Sequence, residues 1–163
     1  MTVENAVAGD ESTVLAIMRD AANWLKDRGI NQWNGMLTPK GEELVHQRVK
    51  EGVAYLASLN GEKLGTITIL WEDFQIWDEK GRDGLAGYIH GLAILRKYAG
   101  KNLGREILNW AMRRIKSQKS IVRLDCMAEN QGLCRYYEQL GFQTVGQKTF
   151  PNGWKSNLYE MKF

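Results

Sequence analysis

Cysteine, histidine and proline each occur only twice in the 163 residues. Two cysteines, Cys126 and Cys134, cannot build a disulfide framework, and their spacing is wrong for a zinc knuckle. The histidines, His46 and His90, form no pair at metal-ligand spacing, so no metal is expected. No apolar run approaches the ~20 residues of a membrane span. The N-terminus, MTVENAVAGDESTVL, has neither the basic start nor the apolar centre of a signal peptide. No repeat, linker or low-complexity segment interrupts the chain. These absences describe a reduced, cytoplasmic, metal-free protein with no membrane partner. What remains is an ordinary globular balance, 44% hydrophobic and 25% charged, long enough for one domain over residues 1–163.

The pattern of elements is mixed. MTVENAVAG reads as a strand. DESTVLAIMRDAANWLKDRG reads as a helix capped by Asp10 or Ser12, with Val14, Ile17, Met18, Ala21, Leu25 and Arg28 at helical spacing and Gly29 as the stop. INQWNGML is a loop with an exposed Trp33, and Thr38-Pro39 opens a second helix. Residues 53–71 form a hairpin around Asn60-Gly61. Residues 72–83 are a polar loop. A long strand over 84–95, a helix over 104–119 and the strand SIVRLDCM follow. NQGLCRYYEQLGF is a helix closed by Gly141, and two strands flank PNGW. The order β-α-α-β-β-β-α-β-α-β-β predicts a mixed α/β sheet.

The richest stretch is YIHGLAILRKYAGKNLG, residues 88–104, where the long strand hands over to a helix. In that helix Gly104, Ile107, Leu108, Ala111, Met112 and Ile115 make one apolar stripe. Gly104 lies on it, where a missing side chain permits close approach. Gly100 can adopt backbone angles closed to other residues. The turn can therefore aim several N–H groups at one point, next to a helix N-terminus with its own free N–H groups and partial positive charge. That combination suits a diphosphate. It is neither G-x-x-x-x-G-K-[ST] nor G-x-G-x-x-G, which argues against a nucleoside triphosphatase and a dinucleotide fold. Residues 96–123 carry nine Lys or Arg against one acid, Glu106. Beside such a turn, that basic stripe favours an anionic ligand over a merely solvated face.

IHGLAILRKYAGKNLGREIL resembles the acetyl-CoA-binding motif of the GNAT superfamily of N-acetyltransferases, [QR]-x-x-G-x-[GA] after a strand. Ile94 stands six before Gly100, Lys97 replaces the usual Gln or Arg, and Asn102 replaces the second Gly or Ala. ENQGLCRYYEQLGF resembles the family's N-x-x-A-x-x-L-Y-E-x-x-G-F segment, with Asn130, Tyr137, Glu138, Gly141 and Phe142 in register. The match covers roughly residues 60–145. It implies a mostly antiparallel sheet of about seven strands flanked by about four helices, and acetyl transfer from acetyl-CoA to an amine. A homodimer is compatible with it, and nucleic acid is not expected as a partner.

The resemblance also assigns roles. The N–H groups of Ala99, Gly100, Lys101, Asn102, Leu103 and Gly104 would hold the pyrophosphate. The strand through Leu92 and Ile94 would pair with the pantetheine arm by main-chain hydrogen bonds. Asn130 would cap its helix and bond the same arm. Tyr137 would protonate the departing thiolate, since a tyrosine near ~10 stays protonated where a thiol of ~8.5 does not. An amine near ~10.4 must lose a proton before it attacks. His90, on one strand face with Tyr88, Leu92 and Ile94 by the two-residue period, is the leading base. YIHGLAI also resembles the serotonin N-acetyltransferase branch, where a histidine relays a proton through water. Glu72 is its rival. Cys126 and Cys134 raise a covalent acetyl-cysteine route, but buried cysteines are more often small apolar fillers. Trp24, Trp33, Trp71 and Trp77 lie where related proteins line the acceptor cleft, and with Glu72, Asp73 or Asp78 they would suit a cationic amine. A polyamine, an aminoglycoside-like amine, an amino acid and a protein N-terminus all stay open. A catalytically silent CoA sensor is the alternative.

Overall fold

The structure, a computed structural model, describes residues 1–163. Seven strands run in the order β1 (Thr2–Asn5), β2 (Ala54–Leu59), β3 (Glu62–Leu70), β4 (Ala86–Ile94), β5 (Ile121–Met127), β7 (Lys155–Lys162) and β6 (Gln143–Thr149). β4 and β5 run parallel. The pairs β1·β2, β2·β3, β5·β7 and β6·β7 are antiparallel. Four longer helices, α1 (Glu11–Asp27), α2 (Pro39–Lys50), α4 (Leu103–Lys116) and α5 (Gln131–Gln139), stand where the hydrophobic periodicity put them. A fifth, the single-turn α3 (Phe74–Trp77), lies inside the stretch read as a polar loop.

The chain packs as two compact units, residues 1–69 with 91–111, and residues 70–90 with 112–163. In the first, Val14, Ile17, Met18 and Ala22 of α1 meet Val45 and Val49 of α2 and Ala54 and Leu56 of β2. Ala22 is fully buried where the spacing had named Ala21. Trp33, expected to be exposed, packs against this cluster. Asn60 (φ 51°) and Gly61 (φ 80°) turn the β2–β3 hairpin in the left-handed conformation that its two-residue loop requires.

The expected caps differ in detail. Asp10 stands at the start of α1, but its carboxylate faces back, accepting from the Val7 N–H at 2.9 Å and from the Lys63 ammonium. Thr38 precedes α2, and its hydroxyl donates to the Gly35 carbonyl at 2.7 Å instead of capping. Helix α4 keeps its stripe: Ile107, Leu108, Ala111 and Ile115 are fully buried. A Cβ on Gly104 would sit 3.4 Å from Ile94 Cδ1, the close approach its place on the stripe predicted.

In the second unit Trp77, Ala86, Tyr88 and Ile121 form the apolar cluster, joined by Leu70, Ile76 and Leu158. Within β4 the alternation breaks at Gly91, whose φ is +59°. The two-residue period that placed His90 on one face with Leu92 and Ile94 therefore cannot be carried past residue 91, because a left-handed residue in a strand acts as a bulge.

Candidate active site

The glycine turn is built within the first unit. Its approach, the 3-10 turn Arg96–Tyr98, is pinned twice. The Arg96 N–H donates to Asp20 at 2.6 Å. The Lys97 ammonium and Tyr98 hydroxyl both donate to Glu62, each to a different oxygen. Gly100 (φ +78°) and Asn102 (φ +58°) then reverse the chain, and Leu103 buries its side chain at the start of α4. The Glu106 N–H to Asn102 carbonyl bond, 3.2 Å, is an early backbone bond of that helix, so the N–H groups of 103–105 precede it. Ala99, Gly100, Lys101 and Asn102 are exposed, and a Cβ at Gly100 would meet nothing within 4 Å. Consecutive amides around left-handed residues, at a helix N-terminus and facing open space, suit a diphosphate.

Several bases of the basic stripe are engaged within the fold. Arg96 stacks on Trp24 at 3.9 Å, Lys97 is paired with Glu62, and Lys119 donates to the Gly84 carbonyl at 2.8 Å. Arg123 is buried, 3% exposed.

The second unit gathers the titratable groups. Tyr88 of β4 lies opposite Arg123 of β5 in the parallel register. Two residues further on, that register places His90 beside Asp125, and the two side chains do approach: His90 Nδ1 to Asp125 Oδ1 is 3.8 Å. On the other side of the ring, His90 Nε2 lies 2.8 Å from Asp73 Oδ2. Asp73 immediately precedes α3, and its second oxygen accepts from the Ile76 N–H at 3.3 Å. With Asp73 ionised, Nε2 carries the proton and donates it to the carboxylate, leaving the Nδ1 lone pair free to accept. Sequence reasoning named Glu72 as the rival base, and Asp73 only among the charges that would suit a cationic acceptor. Glu72 is exposed, and its neighbour Asp73, 7% exposed, is the residue that meets the histidine.

Arg123 holds the Asp73 segment down. Its Nε donates to Glu160 at 2.7 Å, one terminal nitrogen to Asp83 at 2.8 Å, and the other to the Lys80 carbonyl at 2.7 Å and the Tyr88 hydroxyl at 2.9 Å. Tyr88 in turn donates to the same Lys80 carbonyl at 2.8 Å. A buried guanidinium needs this many partners to offset its desolvation. The segment also closes on itself: the Asp73 N–H donates to the Gly81 carbonyl at 2.9 Å. A Cβ on Gly81 would lie 2.2 Å from the Asp73 carbonyl oxygen. Gly81→Ala is therefore expected to push the Asp73 backbone aside and cost about 1–3 kcal/mol, a fall of roughly 2–12 °C in Tm by calorimetry. An unchanged Tm would mean the segment yields freely.

Tyr137 sits in α5 among the rings of Tyr136 (5.5 Å), Phe142 (5.9 Å) and Tyr159 (6.3 Å). Burial, with the neighbouring Cys126 adding to it, pushes its hydroxyl well above the ordinary tyrosine value. Asn130 caps α5 as expected, accepting from the Leu133 N–H at 3.2 Å. Cys126 and Cys134 are free thiols with sulfurs 3.0 Å apart. Burial first, and then the bond to Cys134, push the Cys126 thiol far up, which suppresses the thiolate a covalent route would need. Of the tryptophans, Trp77 belongs to the core, 4% exposed and tilted against Tyr88 at 6.0 Å. Trp24 lies between Arg28 at 4.3 Å and Arg96 at 3.9 Å, which places cations on it already. Leu92 and Ile94 are half-buried in β4.

The glycine turn at the N-terminus of α4 follows β4, a strand of a seven-stranded mixed sheet. The acetyltransferase (GNAT) family profile matches residues 18–142. The chain belongs to that family. It is 31% identical over 149 residues to the uncharacterised N-acetyltransferase YesJ of Bacillus subtilis, covering 86% of this chain and 81% of that one. Among solved structures, a GNAT-family acetyltransferase from Listeria monocytogenes superposes with a TM-score of 0.81 at 28% identity, covering 99% of this chain and 94% of the other. A GNAT-family acetyltransferase from Elizabethkingia anophelis, solved with acetyl-CoA bound, shares the fold at a TM-score of 0.60 and 19% identity, covering 74% and 82%.

Proposed function

We propose that residues 1–163 act as one catalytic domain, an N-acetyltransferase that moves the acetyl group of acetyl-CoA directly to an amine in the cytoplasm. The observation that carries this reading is His90, held through Nε2 by Asp73 at 2.8 Å, with Nδ1 left as a proton acceptor. Acetyl-CoA, when bound, supplies an activated thioester carbonyl. The amides of 99–104 bind its pyrophosphate, and the strand through Leu92 and Ile94 offers main-chain groups to the pantetheine arm. His90 takes the proton from the amine, directly or through a water. Asp73 steadies the imidazolium that results. Tyr137 donates a hydrogen bond to the departing sulfur. Its raised hydroxyl keeps the proton in place, so stabilising the thiolate by hydrogen bonding counts for more than complete proton transfer.

Free-thiol release from acetyl-CoA, measured across a panel of primary amines, tests the reading. Release that depends on the amine supports it. Acetyl-CoA binding with no release on any amine favours a silent CoA sensor. Gly100→Glu is expected to raise the Kd for acetyl-CoA at least about tenfold, the equivalent of one lost charge-assisted hydrogen bond. Tm should fall only modestly: the new side chain enters open space, and the cost is the strain of a non-glycine residue at φ +78°. Equal affinity by calorimetry would remove the turn from the binding site.

A further inference from the structure

The pairing of β4 with β5 brings a second carboxylate to His90 that the proton-transfer scheme does not use. Asp125 Oδ1 stands 3.8 Å from Nδ1, too far for a direct hydrogen bond. With Nε2–H committed to Asp73, both facing atoms are acceptors. Two acceptors across such a gap need a common donor with more than one hydrogen. A nitrogen about 2.9 Å from each fits between them. Both side chains are 16% exposed, so neither is sealed from an incoming molecule. Asp125 lies on a strand whose alternation makes Arg123 and Asp125 the polar face of an otherwise apolar run, Ile121–Met127. Arg123 is fully engaged with Asp83, Glu160, Lys80 and Tyr88. Asp125 faces the His90 ring and accepts from Ser156 of β7.

We infer that Asp125 is an acceptor-binding residue that selects amines arriving as ammonium ions: one N–H of the ammonium is held by the Asp125 carboxylate while another faces His90 Nδ1, which removes it. The inference rests on the acetyl-transfer reading above and adds to it the class of acceptor, a primary alkylamine carrying its charge at neutral pH. The proton balance is simple. The ammonium proton passes to Nδ1, the nitrogen lone pair becomes free, and the positive charge moves to an imidazolium flanked by Asp73 and Asp125. The second N–H proton, lost after the nitrogen has attacked and the C–S bond has broken, ends on the departing sulfur as the CoA thiol. Because both carboxylates face the ring, the charge stays paired before and after the transfer.

Keeping a largely buried carboxylate for a substrate has a consequence for the free protein. Burial raises the Asp125 carboxyl above its ordinary value; His90 and Ser156 oppose this, and Asp73 adds to it. Cys126 and Tyr137 also feel its charge. The sign follows directly. The unfolded carboxyl ionises near ~3.9, below the folded one, so the folded state binds more protons across that interval. Stability therefore falls as pH rises through it, and the deficit persists at neutral pH. Asp125→Asn removes the deficit.

The test compares wild type and Asp125→Asn with two acceptors, a primary alkylamine that is cationic at pH 7 and an arylamine that is uncharged. The variant should lose kcat/KM for the alkylamine by at least about tenfold more than for the arylamine, chiefly through KM, as expected for removal of one partner of a buried charge pair. Its Tm should exceed that of wild type at pH 7, with the difference vanishing toward pH 3. Nitrogen-15 shifts of His90 in the free enzyme should report a neutral ring protonated at Nε2. Equal losses for the two amines overturn the inference, and so does a doubly protonated ring at the pH of maximal turnover. If wild type binds acetyl-CoA but releases no thiol with either amine, the acetyl-transfer reading itself fails, and the role of Asp125 falls with it.

Discussion

His90→Gln is expected to lower kcat/KM by about 10²–10⁴-fold, the usual contribution of a positioned general base. Glutamine keeps a donor for Asp73 and so preserves much of the local structure, but it cannot take a proton. The rise of kcat/KM on the acid side of the pH profile should flatten with it. Acetyl-CoA affinity should hold, because its proposed contacts are the 99–104 amides and the strand through Leu92 and Ile94. Asp73→Asn should fall in the same direction by less. The asparagine still bonds the ring but offers no charge to the imidazolium, and Asp73 acts through His90 instead of touching substrate. A variant at position 90 with the wild-type rate and profile would move the base to Glu72 or to bulk water.

Tyr137→Phe should reduce kcat by about 10²–10³-fold, the cost of losing one preorganised donor to developing charge. The ring contacts with Tyr136, Phe142 and Tyr159 remain, so Tm should change little. KM for acetyl-CoA should also move little. Burial raises the hydroxyl, so the donor form persists across the working range. A donor is lost as pH rises through its own value, which here lies above the ordinary ~10. The kcat profile should therefore show no descending limb from this group below about pH 10. Tyr136→Phe is the matched control, since it keeps the ring that packs on Tyr137. Equal rates in the two variants, both near wild type, would show that the thiolate leaves unaided.

Much of this arrangement can be read from local pattern. The stripe on α4 is one helical period repeated, and the Asn60-Gly61 turn is a two-residue signal. The glycine turn is legible because its geometry depends on neighbours in the chain. His90 could be singled out as a lone histidine in an apolar strand. Its partners could not. Asp73 is seventeen residues away, in a segment that looks like a polar loop, and only Arg123, Tyr88 and the Gly81 contact bring it under the ring. Glu72 was the natural choice there because charge alone does not say which of two adjacent acids turns inward. Asp125 left a clearer trace: alternation along IVRLDCM sets Arg123 and Asp125 on one face, and a charged pair on an apolar strand calls for partners. The face assignment for Leu92 and Ile94 failed because the period assumes a regular pleat, and Gly91 breaks it. The basic stripe is partly dispersed for a related reason. A run of charges in sequence says nothing about which members are stacked, buried or already paired.

Asp73 divides its carboxylate between two listeners, His90 on one oxygen and the Ile76 amide on the other. When the ring gains a proton, electron density is drawn toward that side, and the bond to Ile76 weakens in step. The Ile76 amide resonance should therefore respond to a proton gained by His90, through the Asp73 carboxylate the two share. It can be followed on the backbone of an unlabelled-ring sample, in the presence of acceptors whose own signals would obscure the imidazole. A single peptide proton becomes the meter for the state of the base.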